Sequence, residues 1–230
     1  MLAGRQLADE LLRMTDRHTF ELFAKDLPVR QVVRAPVSRL VVDVERFEDD
    51  AHEPMAGRGM GAIYTATHDL QPLRSPPTSQ EREALLERWY RPHHRALTTA
   101  VDRALDEYGK AFVVDIHSYP SVALPYEADP SAPRPQVCIG TDSFHTPADL
   151  ISAFVRELEL SGFDVGVNTP FAGALVPLKH YRRDQRVTAV MIEVRRDIYM
   201  NEETGVLSPE AVDKASIVRG ALASAAVAAF

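Results

Sequence analysis

Apolar residues return at helical spacing early in the chain. Leu7, Leu11, Leu12 and Met14 fall on one side of residues 3–24, and Leu22 and Phe23 follow a break at Thr15-Asp16. Thr and Asp are good N-caps, so the break is read as the start of a second helical turn. Two apolar runs then predict short strands, one beginning Arg30-Gln31-Val32-Val33-Arg34 and one over Ser38-Arg39-Leu40-Val41-Val42-Asp43-Val44. Residues 50–79 lose all periodicity and are rich in Gly and Pro, with Gly57-Arg58-Gly59-Met60-Gly61 at the centre. This predicts a long irregular loop over the site, a lid or an excursion, because loops of such length are usually functional. A long helix is predicted from about Ser79 to Tyr108, bent near Pro92 and ended by Gly109.

The run from Ala111 to Val114 is β-branched and too short for a helix, so it reads as a buried strand. It leads into Asp115-Ile116-His117-Ser118, and Pro120 stops it. Beyond a Pro-rich loop, strands are predicted at 136–140, at 163–167 and at 187–196, the last with Glu193 inside an apolar run. Thr146-Pro147 is expected to cap a helix to about Leu160, and a last helix starts at Ser208 or Pro209. Strands alternating with helices predict an α/β fold, a single domain over residues 1–230 with a mixed sheet flanked by helices.

Composition narrows the picture. A chain of 230 residues supports one large α/β domain, and a net charge of -7 argues against a nucleic-acid partner. No apolar segment reaches the roughly 20 residues that span a bilayer. The Ala-rich end is expected to be a docking helix. One cysteine, Cys138, excludes an intrachain disulfide, fits a reducing cytoplasm and is read as structural.

In open α/β sheets the carboxyl ends of strands face the ligand crevice, so Arg46, His117, Asp142 and Asn168 are expected to form a rim with Glu193. A buried lone carboxylate is costly unless paired, hydrogen-bonded or on a metal, which singles out Glu193. The simplest constellation is metal-assisted hydrolysis, with His117 on Zn²⁺, Glu193 as general base and arginines holding an anionic substrate. Catalytic zinc takes three protein ligands, and the further candidates are Asp16 and the His18–Glu21 pair.

The assembled motifs resemble the N-formylglutamate amidohydrolase family, itself similar to a distant branch of the zinc carboxypeptidases. They are Leu12-Arg13-Met14-Thr15-Asp16-Arg17, Ser38 to Arg46, Arg58-Gly59-Met60-Gly61, Asp115-Ile116-His117-Ser118, Cys138 to Asp142, Phe144-His145-Thr146, Asn168 to Gly173, Met191 to Val194 and Ile198-Tyr199-Met200. The resemblance implies a zinc-carboxypeptidase-like (phosphorylase/hydrolase-like) fold and one zinc per chain, held by His117 and Asp16. It implies Glu193 as the base, Arg46 on a substrate carboxylate with Arg58 or Asn168 beside it, and Arg39 polarising the scissile carbonyl or anchoring a loop. The expected substrate is a small N-formyl or N-acyl acidic amino acid. Members usually begin with a strand ending in Pro-His-Ser-Gly, which has no counterpart here. The start is therefore expected to be truncated or misassigned, or His18 substitutes, or the metal site is incomplete. The alternatives are a metallopeptidase or amidase on small peptide-like substrates, and a non-catalytic anion-binding relative.

Overall fold

A computed structural model describes residues 4–27 and 31–229. The chain divides into two compact units, one of Met1–Thr15, Val33–Thr99 and Ala123–Pro130, the other of Asp16–Val32, Ala100–Val122 and Ser131–Phe230.

In the first unit, α1 (Gly4–Met14) ends at the predicted break. Helix α2 (Ser79–Leu85) is opened by a capping box, in which the Thr78 hydroxyl accepts from the Glu81 N–H while the Glu81 carboxylate accepts from the Thr78 N–H. A π-helical turn, Leu86–Tyr90, separates it from α3 (Arg91–Tyr108), whose residues from Ala100 on belong to the second unit, so the predicted bend lies just ahead of Pro92. Pro92 itself occupies the first turn of α3, where a missing N–H costs little. Gly109, at φ 72°, ends the helix as predicted.

Neither predicted early strand forms among the described residues. Residues 31–35 have no regular structure, Gln31, Val32 and Arg34 are exposed, and Arg30 lies outside the described residues. The Ser38 carbonyl accepts from the N–H groups of Val41 and Val42, and its hydroxyl accepts from the Leu40 N–H. A serine-centred turn has captured the hydrogen bonds that a strand would need. Its apolar residues still reach the core, Leu40 with Met14, Met60, Tyr64 and Leu73, and Val42 and Val44 with Ala62, Ile63, Leu86 and Tyr90. The stretch 50–79 is irregular up to α2, as predicted, but tightly packed, with Met60, Ala62 and Tyr64 fully buried. Its tightest turn pivots on Gly59, at φ 75°, where a Cβ would stand 2.9 Å from both Ala66 Cβ and Thr65 Oγ1. Only glycine meets both demands.

The second unit is built on a four-stranded sheet of β1 (Ala111–Tyr119), β2 (Val137–Gly140), β3 (Val165–Val167) and β4 (Val187–Arg195), in the order β1-β4-β2-β3. Strands β1 and β4 run parallel, as do β2 and β3, whereas β2 and β4 are antiparallel. The sheet is mixed, as the sequence predicts. On one face Ile139, Val190, Ile192 and Val194 pack with Leu150, Phe154 and Leu158 of α4 (Ala148–Leu160) and with Ala215, Val218 and Leu222 of α5 (Ala211–Ala229). The Ala-rich C-terminal segment is thus a docking helix. On the other face Ala111, Val187 and Ala189 meet Val101 and Leu105 at the first half of β1 and β4. Thr146 does not cap α4; its hydroxyl donates to the Ala189 carbonyl and accepts from the Asp142 N–H. That bond ties the segment to β4 instead. Among the described residues no helix is long and apolar enough to cross a membrane.

Candidate active site

The second half of that face carries the polar residues. Parallel register places His117 directly opposite Glu193, and antiparallel register places Cys138 on the other flank of Glu193. Opposed residues share a sheet face, so Cys138, Glu193 and His117 form one row across three strands. Strand alternation adds Asp115, two residues before His117. The sheet therefore brings His117 and Glu193 together at the carboxyl ends of two parallel strands.

His117 and Asp115 are held as a pair. Asp115 Oδ1 lies 2.9 Å from His117 Nε2, and Asp16 Oδ2 lies 3.5 Å from Nδ1 on the other side of the ring. All three side chains are mostly buried. Asp16 Oδ1 accepts from the Ser118 N–H and hydroxyl, each at 3.1 Å, and from Arg196 Nη2 at 3.3 Å. An imidazole nitrogen beside a carboxylate oxygen is a donor set that zinc takes. His117 thus has a carboxylate beside each ring nitrogen, and a carboxylate that orients a histidine ligand is the usual arrangement around bound metal. Asp115 and His117 both belong to a carboxylate–histidine group whose atoms could hold a metal ion.

Cys138 sits in the same row but is chemically quiet. Burial, with the charge of Glu193 adding to it, pushes its thiol up to about 11 against the hydrogen bonds that would lower it, and Sγ donates to the Phe171 carbonyl. The thiolate is the reactive species, so the native protein is expected to resist alkylation by iodoacetamide at pH 7 and to react once unfolded. Rapid labelling of the folded chain, read by mass spectrometry, would contradict the structural assignment.

In the first unit the buried polar centre is Asp43. Tyr64 donates to its Oδ2 at 2.6 Å, the Glu45 N–H donates to Oδ1, and Arg46 Nε stands 3.6 Å away. Burial by itself would raise the Asp43 carboxyl, but the charges of Arg39 and Arg46 and the two hydrogen bonds outweigh it and hold it below its ordinary value. Arg46 also lies 4.0 Å from Glu53, which accepts from the Phe47 and Met55 N–H groups. A depressed folded-state carboxyl stabilises the fold above its unfolded value and loses that contribution as pH falls through its folded value. Asp43→Asn is therefore expected to cost roughly 3–5 kcal/mol at pH 7, the range for breaking a buried pair. In thermal unfolding from pH 7 to pH 2 the gap to the parent should narrow with acidification; a constant gap would remove the charge from the explanation.

The remaining predicted site residues are engaged locally. Arg58 Nη1 donates to the carbonyls of Tyr126 and Glu127. Asn168, in the left-handed region at φ 56°, exchanges two hydrogen bonds with Thr141. Asp142 accepts from the N–H groups of Phe144 and His145 and closes its own turn. His18 Nε2 lies 2.9 Å from the Gly205 carbonyl, and Glu21 is exposed. The sequence reading gave no role to Asp115 or Arg196. Strand alternation with His117 was a signal for the first; nothing local marks the second.

Comparison with known proteins follows the same lines. The chain is 29% identical over 196 residues to an N-formylglutamate deformylase of Pseudomonas putida, covering 82% of this chain and 71% of that protein. An N-formylglutamate deformylase of Pseudomonas aeruginosa is 28% identical over 197 residues, covering 82% and 72%. The fold is similar to the crystal structure of an N-formylglutamate amidohydrolase from Ralstonia eutropha JMP134, with a TM-score of 0.77 at 22% identity over 94% of this chain and 84% of that one. A gene product of Agrobacterium tumefaciens has a TM-score of 0.60 at 22% identity over 84% and 69%. Residues 1–200 match the sequence profile of one family, and the chain belongs to it: the N-formylglutamate amidohydrolases.

Proposed function

We propose that this chain is a zinc-dependent deformylase that hydrolyses the N-formyl amide of N-formylglutamate or a closely similar acidic amino acid, in a reducing cytoplasm. Family membership and the two deformylase relatives support the reaction. The observation that carries the chemistry is the row at the ends of β1 and β4, with His117 between two carboxylates and Glu193 directly across from it.

His117, through Nδ1, and Asp16, through Oδ2, would hold the metal, while Asp115 keeps Nε2 protonated and the ring fixed. Zinc, when bound, supplies Lewis acidity that polarises a carbonyl and lowers the pKa of water. Glu193 takes a proton from the attacking water as its oxygen bonds to the formyl carbon. The C–N bond then breaks, and Glu193 returns that proton to the departing nitrogen, so the products are formate and glutamate. Arg46 is proposed to hold a substrate carboxylate, since a guanidinium binds carboxylates bidentately. Arg39 shares with it the charge around Asp43.

The test is metal content of the purified chain together with formate release from N-formylglutamate. About one zinc per chain and formate release that stops on chelation and returns with zinc are expected. Full activity after exhaustive chelation would sink the zinc assignment, and formate release from every N-formyl amino acid alike would sink the acidic-substrate assignment.

A further inference from the structure

Asp16 stands in no helix or strand, yet it is the carboxylate that must face His117. Three consecutive residues are fastened to the segment just beyond β4. Arg196 Nη2 donates to Asp16 Oδ1, the Tyr199 hydroxyl donates to the Arg17 carbonyl at 3.0 Å, and His18 Nε2 lies 2.9 Å from the Gly205 carbonyl. Arg196 is itself locked, with Nε donating to Ser118 Oγ at 3.1 Å and Nη2 to the Ser118 carbonyl at 3.2 Å. Its side chain is only 6% exposed. Ser118 Oγ thus passes a hydrogen bond from Arg196 on to Asp16 Oδ1, the same oxygen that Arg196 reaches directly. Three donors, the Ser118 N–H, the Ser118 hydroxyl and Arg196 Nη2, converge on Oδ1, and Oδ2 is the oxygen turned to His117.

We infer that Arg196 and Ser118 are positioning residues that fix the rotation of the Asp16 carboxylate and thereby set the chain's affinity for its metal. The inference rests on the proposed metal site. A monodentate carboxylate ligand needs one oxygen presented and the other held; a guanidinium fork and a hydroxyl locked to one strand end do this without touching substrate.

The experiment measures zinc affinity by competition with a chromophoric chelator, and the visible spectrum of the cobalt-substituted protein, for Ser118→Ala, Arg196→Gln, Asp16→Asn and the Arg196→Gln/Asp16→Asn double variant. Arg196→Gln is expected to weaken zinc binding about 10–100-fold, the usual cost of losing a partner of a ligand, with Ser118→Ala weakening it less. In the Asp16→Asn background Arg196→Gln should add almost nothing, because its effect runs through the missing carboxylate. The cobalt spectrum should change in the single variants, which a loss of global stability alone would not produce. Equal loss from Arg196→Gln in both backgrounds overturns the inference while leaving the metal site standing. Unchanged affinity in Asp16→Asn overturns the metal reading and the inference with it. Ser118→Ala removes one oxygen atom only, so it keeps the test open if Arg196→Gln does not fold.

Discussion

Glu193→Gln is expected to lower the rate of formate release by about 10²–10⁴-fold, the range that a positioned general base contributes. The change is nearly isosteric and removes only the ability to accept and return a proton. Glu193 lies in an inner strand with a neighbour on either side, His117 on β1 and Cys138 on β2, so its backbone is held whichever side chain it carries. Zinc content and thermal stability should therefore stay near those of the parent. Steady-state kinetics on N-formylglutamate decide the matter: a variant that keeps its activity shows that another group moves the proton.

His117→Ala should have the largest effect on metal. It removes a direct donor, so zinc affinity is expected to fall by more than the roughly 10–100-fold that loss of a ligand's hydrogen-bonding neighbour costs. Asp115→Asn should fall within that smaller range, because it weakens the hold on Nε2 without removing Nδ1. Dialysis against a graded chelator series, followed by metal analysis, separates the two. Equal zinc retention in His117→Ala and the parent would falsify the ligand assignment.

Much of the sheet was legible because each strand is an apolar run bounded by Pro, Gly or polar residues. Residues 187–195 advertise themselves twice, by β-branching and by one carboxylate among apolar neighbours. The same two marks occur in Val41-Val42-Asp43-Val44, where they mislead about the strand. There Ser38 closes a turn, and Asp43 meets its burial cost with Tyr64 and two arginines. A lone carboxylate in an apolar run signals a partner, not which partner. Asp115 could have been found from its spacing to His117. Arg196 could not, since its contact with Asp16 joins residues 180 positions apart and only the closed fold brings them together.

The placement of Glu193 on an inner strand has a consequence for how the protein breathes. β4 is hydrogen-bonded along both edges, whereas β3 is a three-residue strand at the sheet margin. Amide protons open to solvent by local fraying at margins and only by cooperative unfolding at the centre. The backbone under Glu193 thus belongs to the slowest-exchanging part of its unit. Fluctuations that loosen Val165 to Val167 are expected to leave the pairing of β1 with β4 in register.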